Sequence, residues 1–438
     1  MKAIIMAGGK GTRIASIAND IPKPMIQLCG KPILEHQIEC LKKNEITDII
    51  LVIGHLGHFI KEYFENGSRF GVNINYYEET EPLGTAGALY KIDGLIDSDE
   101  SFLLLCGDII FDIDFSRLIA FHKKHNADAT LVAHPNSHPY DSSLLITEVL
   151  SPKIEGELPL ETNRVIKWLN KEDERLWNKN LVNSGIEVIS PELLRAAKNH
   201  ISKDKIDLDR DILKPAVNGI FGENKIYAYA TPEYIKDMGT PDRYYATEAD
   251  IKSGLVTARN LSHKQKAIFL DRDGTLNKDV GFLTDIEKLE LIMDAGKAVK
   301  KINDSGYLAI VITNQPVIAR GEVDFPELDV IHSKLETLLG KNGAYLDAIY
   351  YCPHHTDKGF PGERIAYKCI CDCRKPNPGL FLQAAKDFNI DLSQSYMIGD
   401  SNRDIEAGKN AGCKDSYLID KEQSLLTIVS KILKIQED

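Results

Sequence analysis

The stretch Ala267-Ile-Phe-Leu-Asp-Arg-Asp-Gly-Thr-Leu-Asn277 decides how the rest of the chain is interpreted. Its apolar start predicts a buried strand, which places Asp271 at the strand's carboxyl end and Asp273 on the turn beyond it. Open α/β sheets bind their ligands at this end of the strands. A carboxylate such as Asp271 can attack phosphorus without a base, and Asp273 could protonate the leaving oxygen and then activate water. A strand followed by an ordinary type I turn is the alternative.

Three further motifs follow in order. They are Val-Ile-Thr-Asn-Gln at 311–315, Cys-Arg-Lys-Pro at 373–376 and Ile-Gly-Asp-Ser-Asn-Arg-Asp at 398–404. Together with the first motif they resemble the haloacid-dehalogenase phosphatases, from about Lys266 to the end of the chain. The resemblance implies an aspartyl-phosphate on Asp271, with Lys375 holding the transferring phosphoryl group. It also implies a Mg²⁺ site formed by Asp271, the main-chain carbonyl of Asp273 and Asp400, with Asp404 orienting these ligands.

One branch of these phosphatases is matched more closely. The segments 277–282, 318–321 and 350–355 resemble the heptose 1,7-bisphosphate 7-phosphatases, whose nearest relatives act on histidinol phosphate. Pro316-Val317 and Ser401 depart from the residues that are common in that branch, at turns expected to face the substrate. The resemblance implies the substrate-binding residues Asp279, Phe282, Thr313, Asn314, Gln315, Arg374 and Lys375.

Cys352, His354, Cys371 and Cys373 form a second group of polar residues in the same part of the chain. Three thiolates and one imidazole are a ligand set of structural zinc sites. A long loop without a core of its own needs such a staple, and zinc here would fix the loop that carries Arg374 and Lys375. The alternative is free cysteines beside surface histidines. Cys369 and His355 are spare groups in either case.

Composition limits the possibilities. The chain has 438 residues, which suggests two or three domains, and 43% hydrophobic and 27% charged residues, which are typical of a globular protein. No apolar run approaches the ~18 residues of a membrane helix. A net charge of -12 argues against general nucleic-acid binding. Eight cysteines without a recognisable secretion signal favour a reducing, cytoplasmic location. We expect small-molecule substrates, no membrane partner and a possible homo-oligomer.

The first half of the chain begins with a predicted strand, Lys2 to Met6, and a glycine-rich loop, Ala7 to Arg13. Backbone amides of such loops can bind phosphate, although an ordinary turn between a strand and a helix is the alternative. Lys23 lies between two prolines and is a rigidly mounted cation. Further motifs occur at 82–88, 106–108, 183–187 and 237–241.

These motifs resemble the sugar-1-phosphate nucleotidyltransferases over essentially the whole first domain. In this chemistry two polyanions meet, so catalysis consists mainly of positioning and charge neutralisation. The resemblance implies Arg13 and Lys23 as catalytic cations and a Mg²⁺ ion held by Asp108 and Asp237. It implies sugar contacts by Asn183, Glu187 and Lys171, the last in an Asn-Lys-Glu context that departs from the usual Glu-Lys-Pro. The implied nucleotide-binding residues are Ala7, Gly8, Gly9, Gly11, Thr12, Arg13, Lys23, Gly84 and Thr85.

The expected fold class is α/β, with two Rossmann-like three-layer domains. Residues 1–252 would form a nucleotidyltransferase domain of the GT-A-like kind, residues 253–264 a linker, and residues 265–438 a haloacid-dehalogenase domain with a minimal cap and a zinc loop. The apolar patterns predict helices at 33–44 and 58–64, and strands at 48–53, 102–106 and 308–313. Shorter extended runs from 129 to 188 would line the sugar side.

The two resemblances together imply one pathway. Removal of the 7-phosphate of heptose 1,7-bisphosphate leaves heptose 1-phosphate, which a guanylyltransferase converts to GDP-heptose. The identity of the base is the least determined part of this prediction. Backbone groups around Gly84 would contact the base, and residue identity does not report such contacts. An alternative is a mannose or other hexose 1-phosphate guanylyltransferase fused to a histidinol-phosphatase-like domain. A non-catalytic regulatory module is a second alternative, and the presence of Arg13, Lys23, Asp108 and Asp237 argues against it.

Overall fold

The structure is a computed structural model that describes residues 1–9, 21–96, 100–420 and 423–434. It divides into two compact units. The first unit comprises Met1–Ala133, Asn163–Trp168 and Asn183–Asn260, and the second comprises His134–Thr162, Leu169–Val182 and Leu261–Asp438. Two segments of the predicted first domain therefore cluster with the second unit. The predicted domain boundaries at 252 and 265 stay a prediction.

In the first unit, the main sheet contains strands of mixed direction. Their order across the sheet is Asn73–Glu78, Asp48–Ile53, Ala3–Met6, Phe102–Cys106, Val182–Ile189, Ala129–His134, Ile226–Ala230 and Leu160–Leu169. The first four run parallel, as predicted. Val182–Ile189 runs antiparallel to Phe102–Cys106, so its beginning lies beside the carboxyl ends of the parallel strands. Two small ladders accompany the sheet, Gln27–Leu28 with Lys31–Pro32 and Ile109–Asp112 with Tyr234–Asp237.

Helices and a buried core complete the first unit. The helices are Ile33–Lys43, Gly57–Phe64, Phe115–His125, Pro191–Lys198, Lys214–Val217, Pro241–Ser253 and Leu255–Ala258. The predicted helices at 33–44 and 58–64 and the strands at 48–53 and 102–106 are confirmed to within one residue. The helix Ile33–Lys43 shows why: its residues Leu34, Ile38 and Leu41 recur at helical spacing and are all buried.

The second unit contains a five-stranded sheet in which all strands run parallel. Their order is Ala348–Cys352, Tyr307–Asn314, Lys266–Leu270, Tyr396–Gly399 and Asp415–Leu418. The remaining strand of this unit is Leu144–Leu150, and the helices are Ala295–Asn303, Phe325–Gly340, Gly379–Asp387, Asn402–Ala411 and Leu425–Leu433. Because the strands are parallel, the residues that follow them meet at one edge of the sheet.

Both faces of this sheet are buried, which explains its continuous apolar sequences. Ile268 and Leu270 pack on one side and Ala267 and Phe269 on the other, within two separate hydrophobic clusters. Strands covered on both faces read as unbroken hydrophobic runs rather than as alternating patterns. The predicted strand before Asp271 is therefore confirmed, and the predicted α/β class holds for both units.

Candidate active sites

The predicted phosphatase residues meet at the carboxyl edge of the parallel sheet. The Asp271 N–H donates to the carbonyl of Ile398 at 3.0 Å, which holds the residue at the end of its strand. Lys375 Nζ lies 2.9 Å from Asp271 Oδ1 and 2.6 Å from Asp404 Oδ1. Burial raises the pKa of Asp271 to about 6, although Lys375 opposes the shift. The carboxylate is thus held next to a buried cation, as a nucleophile that accepts a phosphoryl group requires.

Asp273 is held by a separate set of donors. Burial alone would raise its pKa, but Arg272, Asn277 and Gln315 lower it below the ordinary value. Arg272 Nη2 contacts both carboxylate oxygens at 3.1 and 2.9 Å, and Gln315 Nε2 donates to Oδ2 at 3.0 Å. Arg272 is fully buried and also donates to Nε2 of His332 at 3.2 Å. Asp273 is therefore an oriented carboxylate whose ionised form these donors stabilise.

Three carboxylates at this edge could hold a metal ion. Oxygen atoms of Asp271, Asp400 and Asp404 all lie within 4.8 Å of one another, and such hard donors fit Mg²⁺. Asp404 Oδ2 accepts hydrogen bonds from the Ser401 N–H and hydroxyl, and its other oxygen faces Lys375. These contacts suit the orienting role predicted for Asp404.

Gly274 explains why glycine follows the second aspartate of the motif. Its φ is +76°, and a Cβ at this position would lie 1.9 Å from Asp400 Oδ2. A side chain would therefore strain the turn and displace Asp400.

The predicted zinc ligands come together. Ligand atoms of Cys352, His354, Cys371 and Cys373 lie within 4.8 Å of one another. The Sγ atoms are 3.2 to 3.6 Å apart, and Nδ1 of His354 lies 3.3 Å from Sγ of Cys373. A tetrahedral site with Zn–S bonds of about 2.3 Å requires ligand separations close to these. The four side chains fit a structural zinc ion.

The other predicted phosphatase residues line one cavity of about 260 Å³. Its walls include Asp279, Phe282, Thr313, Asn314, Gln315, Arg374 and Lys375. The Asn314 amide acts on the loop, since it donates to the carbonyl of Lys375 at 3.1 Å and accepts from its N–H at 3.0 Å. Arg374 Nη1 donates to the carbonyl of His354 at 2.9 Å, which ties the cation to the proposed zinc loop.

His355 and Arg403 also line this cavity, and the sequence interpretation did not assign them to the site. Arg403 lies in the first turn of the helix Asn402–Ala411 and within the motif at 398–404 that contains Asp400. Its position inside that motif is a signal that could have identified it.

The first unit contains a larger cavity, of about 910 Å³, which is lined by the predicted nucleotide-binding elements. Gly8, Gly9, Lys23, Gly84 and Thr85 all contribute to its walls. The predicted residues Gly11, Thr12 and Arg13 lie outside the described residues. The Ala7 N–H donates to the carbonyl of Val52 at 2.8 Å, so this amide extends the sheet.

Two predicted metal ligands lie next to each other in this unit. Asp237 pairs with Ile109 across an antiparallel ladder, and the Met238 N–H donates to the carbonyl of Asp108 at 3.0 Å. Lys23 Nζ lies 2.5 Å from Asp108 Oδ2, and Asp237 is ion-paired with Arg243. Two adjacent carboxylates beside a buried lysine fit a divalent cation that is shared with a phosphate group.

The predicted base-recognition turn is the motif at 82–88, and contacts with the segment 206–208 hold it. Gly84 has φ +86°, and a Cβ there would lie 2.3 Å from the carbonyl oxygen of Ile206. Thr85 Oγ1 accepts a hydrogen bond from the Leu208 N–H at 2.7 Å. Only glycine can adopt this turn at such close approach, because it has no Cβ.

Asn183 and Glu187 lie on the strand Val182–Ile189, which runs antiparallel to Phe102–Cys106. Burial raises the pKa of Glu187 well above its ordinary value, and the nearby Asp209 adds to the shift. Asp209, which the sequence interpretation missed, has its pKa raised to about 6, chiefly by burial. Lys171 belongs to the second unit, where it is exposed and lies 3.7 Å from Glu172. Its predicted sugar contact stays a prediction.

Comparisons with known proteins match both parts of the chain. A family model described as nucleotidyl transferase matches residues 2–254, and one described as HAD-hydrolase-like matches residues 372–421. The D-glycero-beta-D-manno-heptose-1,7-bisphosphate 7-phosphatase of Haemophilus ducreyi is 44% identical over 156 residues, which are 35% of this chain and 83% of that protein.

Two further relatives match the first part of the chain. The mannose-1-phosphate guanyltransferase beta-B of Xenopus laevis is 31% identical over 244 residues, which are 55% of this chain and 62% of that protein. The crystal structure of HddC from Yersinia pseudotuberculosis complexed with GMP-PN is 24% identical, covers 57% of this chain and 99% of that chain, and has a TM-score of 0.46.

The folds and sites thus define an enzyme with a nucleotidyltransferase part and a haloacid-dehalogenase-type phosphatase part. The chain belongs to the nucleotidyl transferase family and, through its carboxyl-terminal part, to the family of the heptose 1,7-bisphosphate 7-phosphatases. The predicted fusion of these two families is confirmed. Among the described residues, no helix is both long and apolar enough to span a membrane.

Proposed function

We propose that the two parts catalyse consecutive steps toward GDP-heptose. The carboxyl-terminal part removes the 7-phosphate of D-glycero-D-manno-heptose 1,7-bisphosphate, and the amino-terminal part transfers GMP from GTP to the resulting heptose 1-phosphate, with release of pyrophosphate. The observation that carries the proposal is the 44% identity to a heptose bisphosphatase in a chain whose other part is a nucleotidyl transferase. The product of one activity is a substrate of the other.

In the phosphatase step, a carboxylate oxygen of Asp271 attacks the phosphorus of the 7-phosphate, and the bond from phosphorus to the sugar oxygen breaks. Asp273 in its protonated form donates a proton to that leaving oxygen. Water then attacks the aspartyl-phosphate while Asp273 takes up a proton, and inorganic phosphate leaves. Lys375 faces the Asp271 carboxylate and neutralises the phosphoryl oxygens. A bound Mg²⁺ ion at Asp271, Asp400 and the main chain of Asp273 would supply further charge neutralisation.

In the transferase step, an oxygen of the sugar 1-phosphate attacks the α-phosphorus of GTP, and the bond to pyrophosphate breaks. Lys23 and the amides of Gly8 and Gly9 neutralise and orient the phosphates, since they line the same cavity. A Mg²⁺ ion at Asp108 and Asp237 would stabilise the charge that develops on the α-phosphate. Arg13 is proposed as a second cation on the strength of the family resemblance.

We propose Glu79 as the side chain that selects guanine. Its Oε1 accepts the Leu83 N–H of the base-recognition turn at 3.2 Å, and a Cβ at Gly8 would lie 2.9 Å from its Oε2. The carboxylate therefore lies in the nucleotide cavity between this turn and the glycine loop. Guanine presents two adjacent donors, N1–H and the 2-amino group, which a carboxylate can accept together. Adenine, cytosine and uracil lack such a pair.

Comparison of GTP with ITP tests this assignment, because inosine lacks only the 2-amino group. The wild-type enzyme should prefer GTP by roughly 10- to 100-fold in kcat/KM, the range of one charge-assisted hydrogen bond. Glu79→Gln should remove most of this preference. The control is Glu78→Gln, since Glu78 is exposed and pairs with Lys61 instead. An unchanged preference in Glu79→Gln would assign base selection to the backbone alone.

The alternative substrate for the transferase is mannose 1-phosphate or another hexose 1-phosphate, which the similarity to a mannose-1-phosphate guanyltransferase favours. Incubation with heptose 1,7-bisphosphate, each of four nucleoside triphosphates and Mg²⁺, with products identified by mass, tests the proposal. The expected products are GDP-heptose, inorganic phosphate and pyrophosphate. Faster transfer to mannose 1-phosphate than to heptose 1-phosphate would contradict it.

The cellular setting belongs to the same proposal. Nucleoside triphosphates are cytoplasmic substrates, so we place the enzyme in the cytoplasm. Sedimentation of the purified chain at several concentrations would measure its oligomeric state.

A further inference from the structure

One cation that lines the phosphatase cavity has no role in the reaction proposed above. Arg403 lines this cavity from the helix Asn402–Ala411, and its side chain is exposed. The neighbouring Ser401 turns its hydroxyl back to Asp404 at 2.8 Å and presents no charge to the cavity. Arg403 is thus the cation that this helix offers to a ligand.

The other cations that line this cavity differ in how far they are already neutralised. The Nζ of Lys375 has carboxylate oxygens at 2.9 and 2.6 Å. Arg374, in contrast, donates one N–H to the carbonyl of His354. Neither Arg374 nor Arg403 has a carboxylate within ion-pair distance in the part of the chain that the structure describes.

Arg374 and Arg403 line the same cavity. Arg374 reaches it from the loop that carries Lys375, and Arg403 reaches it from the helix Asn402–Ala411. Two guanidinium groups that line one cavity without an ion-pair partner are stabilised when a dianion binds there. Each guanidinium can present two parallel N–H groups to a phosphate, which makes a pair of them selective for that geometry.

We propose that Arg403 and Arg374 together bind the phosphate group that the enzyme does not cleave, and that Arg403 is a specificity-determining residue for bisphosphate substrates. The inference rests on the proposed phosphatase function, because it assumes that the other phosphate reacts at Asp271 beside Lys375. One end of the cavity then holds the reacting phosphate, and the two arginines hold the distal one.

The test compares a bisphosphate with a monophosphate. Arg403→Ala should lower kcat/KM for heptose 1,7-bisphosphate by roughly 10- to 100-fold, the range of one charge-assisted contact, and change that for p-nitrophenyl phosphate by less than about twofold. The loss should appear mainly in KM, because the distal phosphate is bound equally in the ground state and the transition state. Arg403→Lys should recover part of the loss.

Lys409→Ala is the matched control, since Lys409 is an exposed cation near the other end of the same helix and does not line the cavity. The Arg374→Ala, Arg403→Ala double variant should lose less than the sum of the two single losses in free energy, because both groups bind one phosphate. Equal losses on both substrates, or no loss on the bisphosphate, would overturn the inference.

The result also separates this inference from the proposed function. If wild-type enzyme prefers heptose 1,7-bisphosphate to p-nitrophenyl phosphate and Arg403→Ala keeps that preference, the inference fails and the function stands. If wild-type enzyme is inactive on the heptose bisphosphate but shows an Arg403-dependent preference for fructose 1,6-bisphosphate over p-nitrophenyl phosphate, the proposed substrate fails and the two-arginine site stands.

Discussion

At the scale of single residues, Arg272 changes the interpretation of the active-site motif. In the pattern Asp-x-Asp-Gly-Thr it occupies the position that carries no assigned role. The structure buries it completely and places it against Asp273, Gln315 and His332. Burial and the positive charge of Arg272 lower the pKa of His332 to about 3, so this imidazole is neutral and accepts the guanidinium N–H. The buried Arg272 side chain thereby orients the Asp273 carboxylate.

Asp271 in the phosphatase site and Lys23 in the transferase site give a reciprocal prediction. Asp271→Asn should abolish phosphate release, because an amide cannot form the aspartyl-phosphate, and leave transfer to supplied heptose 1-phosphate intact. Lys23→Ala should do the reverse, with loss of roughly 100-fold or more in transfer if the ammonium neutralises a reacting phosphate. Phosphate release and pyrophosphate release are measured separately. Loss of both activities in either variant would contradict two independent sites.

At the scale of elements, the loop from 352 to 375 depends on contacts outside regular secondary structure. Arg320 lies between the rings of Phe282 and Phe360, at 4.1 Å from each ring centroid. Phe282 is a wall of the phosphatase cavity, and Phe360 belongs to this loop. The aromatic and cationic contacts thus join the cavity wall to the loop on one side, and the four proposed zinc ligands close it on the other.

Metal removal tests the role of this loop. Purified protein should contain about one zinc ion per chain, bound by three sulfur atoms and one nitrogen atom, and Cys371→Ser should lower zinc content and phosphatase activity together. Transferase activity should not change. The physical reason is that Arg374 and Lys375 directly follow Cys373 and are positioned by it. Metal analysis and both assays on the same preparation provide the check, and full phosphatase activity in zinc-free protein would refute the idea.

At the scale of the whole molecule, the second unit includes chain that precedes the phosphatase sequence by about a hundred residues. Within this unit, Tyr140 donates to the carbonyl of Thr337 at 2.6 Å, and the Asn180 N–H donates to Glu336 at 3.2 Å. Glu336 is buried on the helix Phe325–Gly340. Burial raises its pKa from 4.5 to about 7, although Lys179 opposes the shift.

This buried carboxyl predicts a pH-dependent stability. Because its pKa is higher in the folded state, the folded chain binds more protons than the unfolded chain between pH 4.5 and about 7, and stability falls as the pH rises through that window. Glu336→Gln removes the cost of ionisation and keeps an acceptor for Asn180. It should stabilise the protein at pH 8 by up to roughly 3 kcal/mol and have little effect near pH 4.5.

Thermal or denaturant unfolding across this pH range measures the effect. Glu174→Gln serves as the control, since Glu174 is an exposed carboxylate in the same part of the second unit. A constant difference between wild type and Glu336→Gln at all pH values would show that the carboxyl does not titrate in the folded state near neutrality.

The sequence by itself determined the α/β class and the two families, and it predicted the residues that we propose for the phosphatase reaction. These features depend on short patterns in the sequence. An apolar run ends in Asp271, and Gly274 follows at a position where a side chain would clash with Asp400. The cysteines are spaced so that they can surround one ion. The spacing of apolar residues along a helix or strand depends on which of its faces is buried, and this spacing is visible within a short segment. Several helices and strands were therefore predicted to within about one residue.

Only the tertiary structure decided which distant residues act together. Arg403 joins Arg374, Glu79 joins Gly8, and Glu336 meets Asn180 through folding of segments that lie far apart in the chain. The antiparallel direction of Val182–Ile189 and the clustering of 134–162 and 169–182 with the second unit have the same origin. Long-range packing sets such pairings, and a pattern of neighbouring residues carries no signal for them.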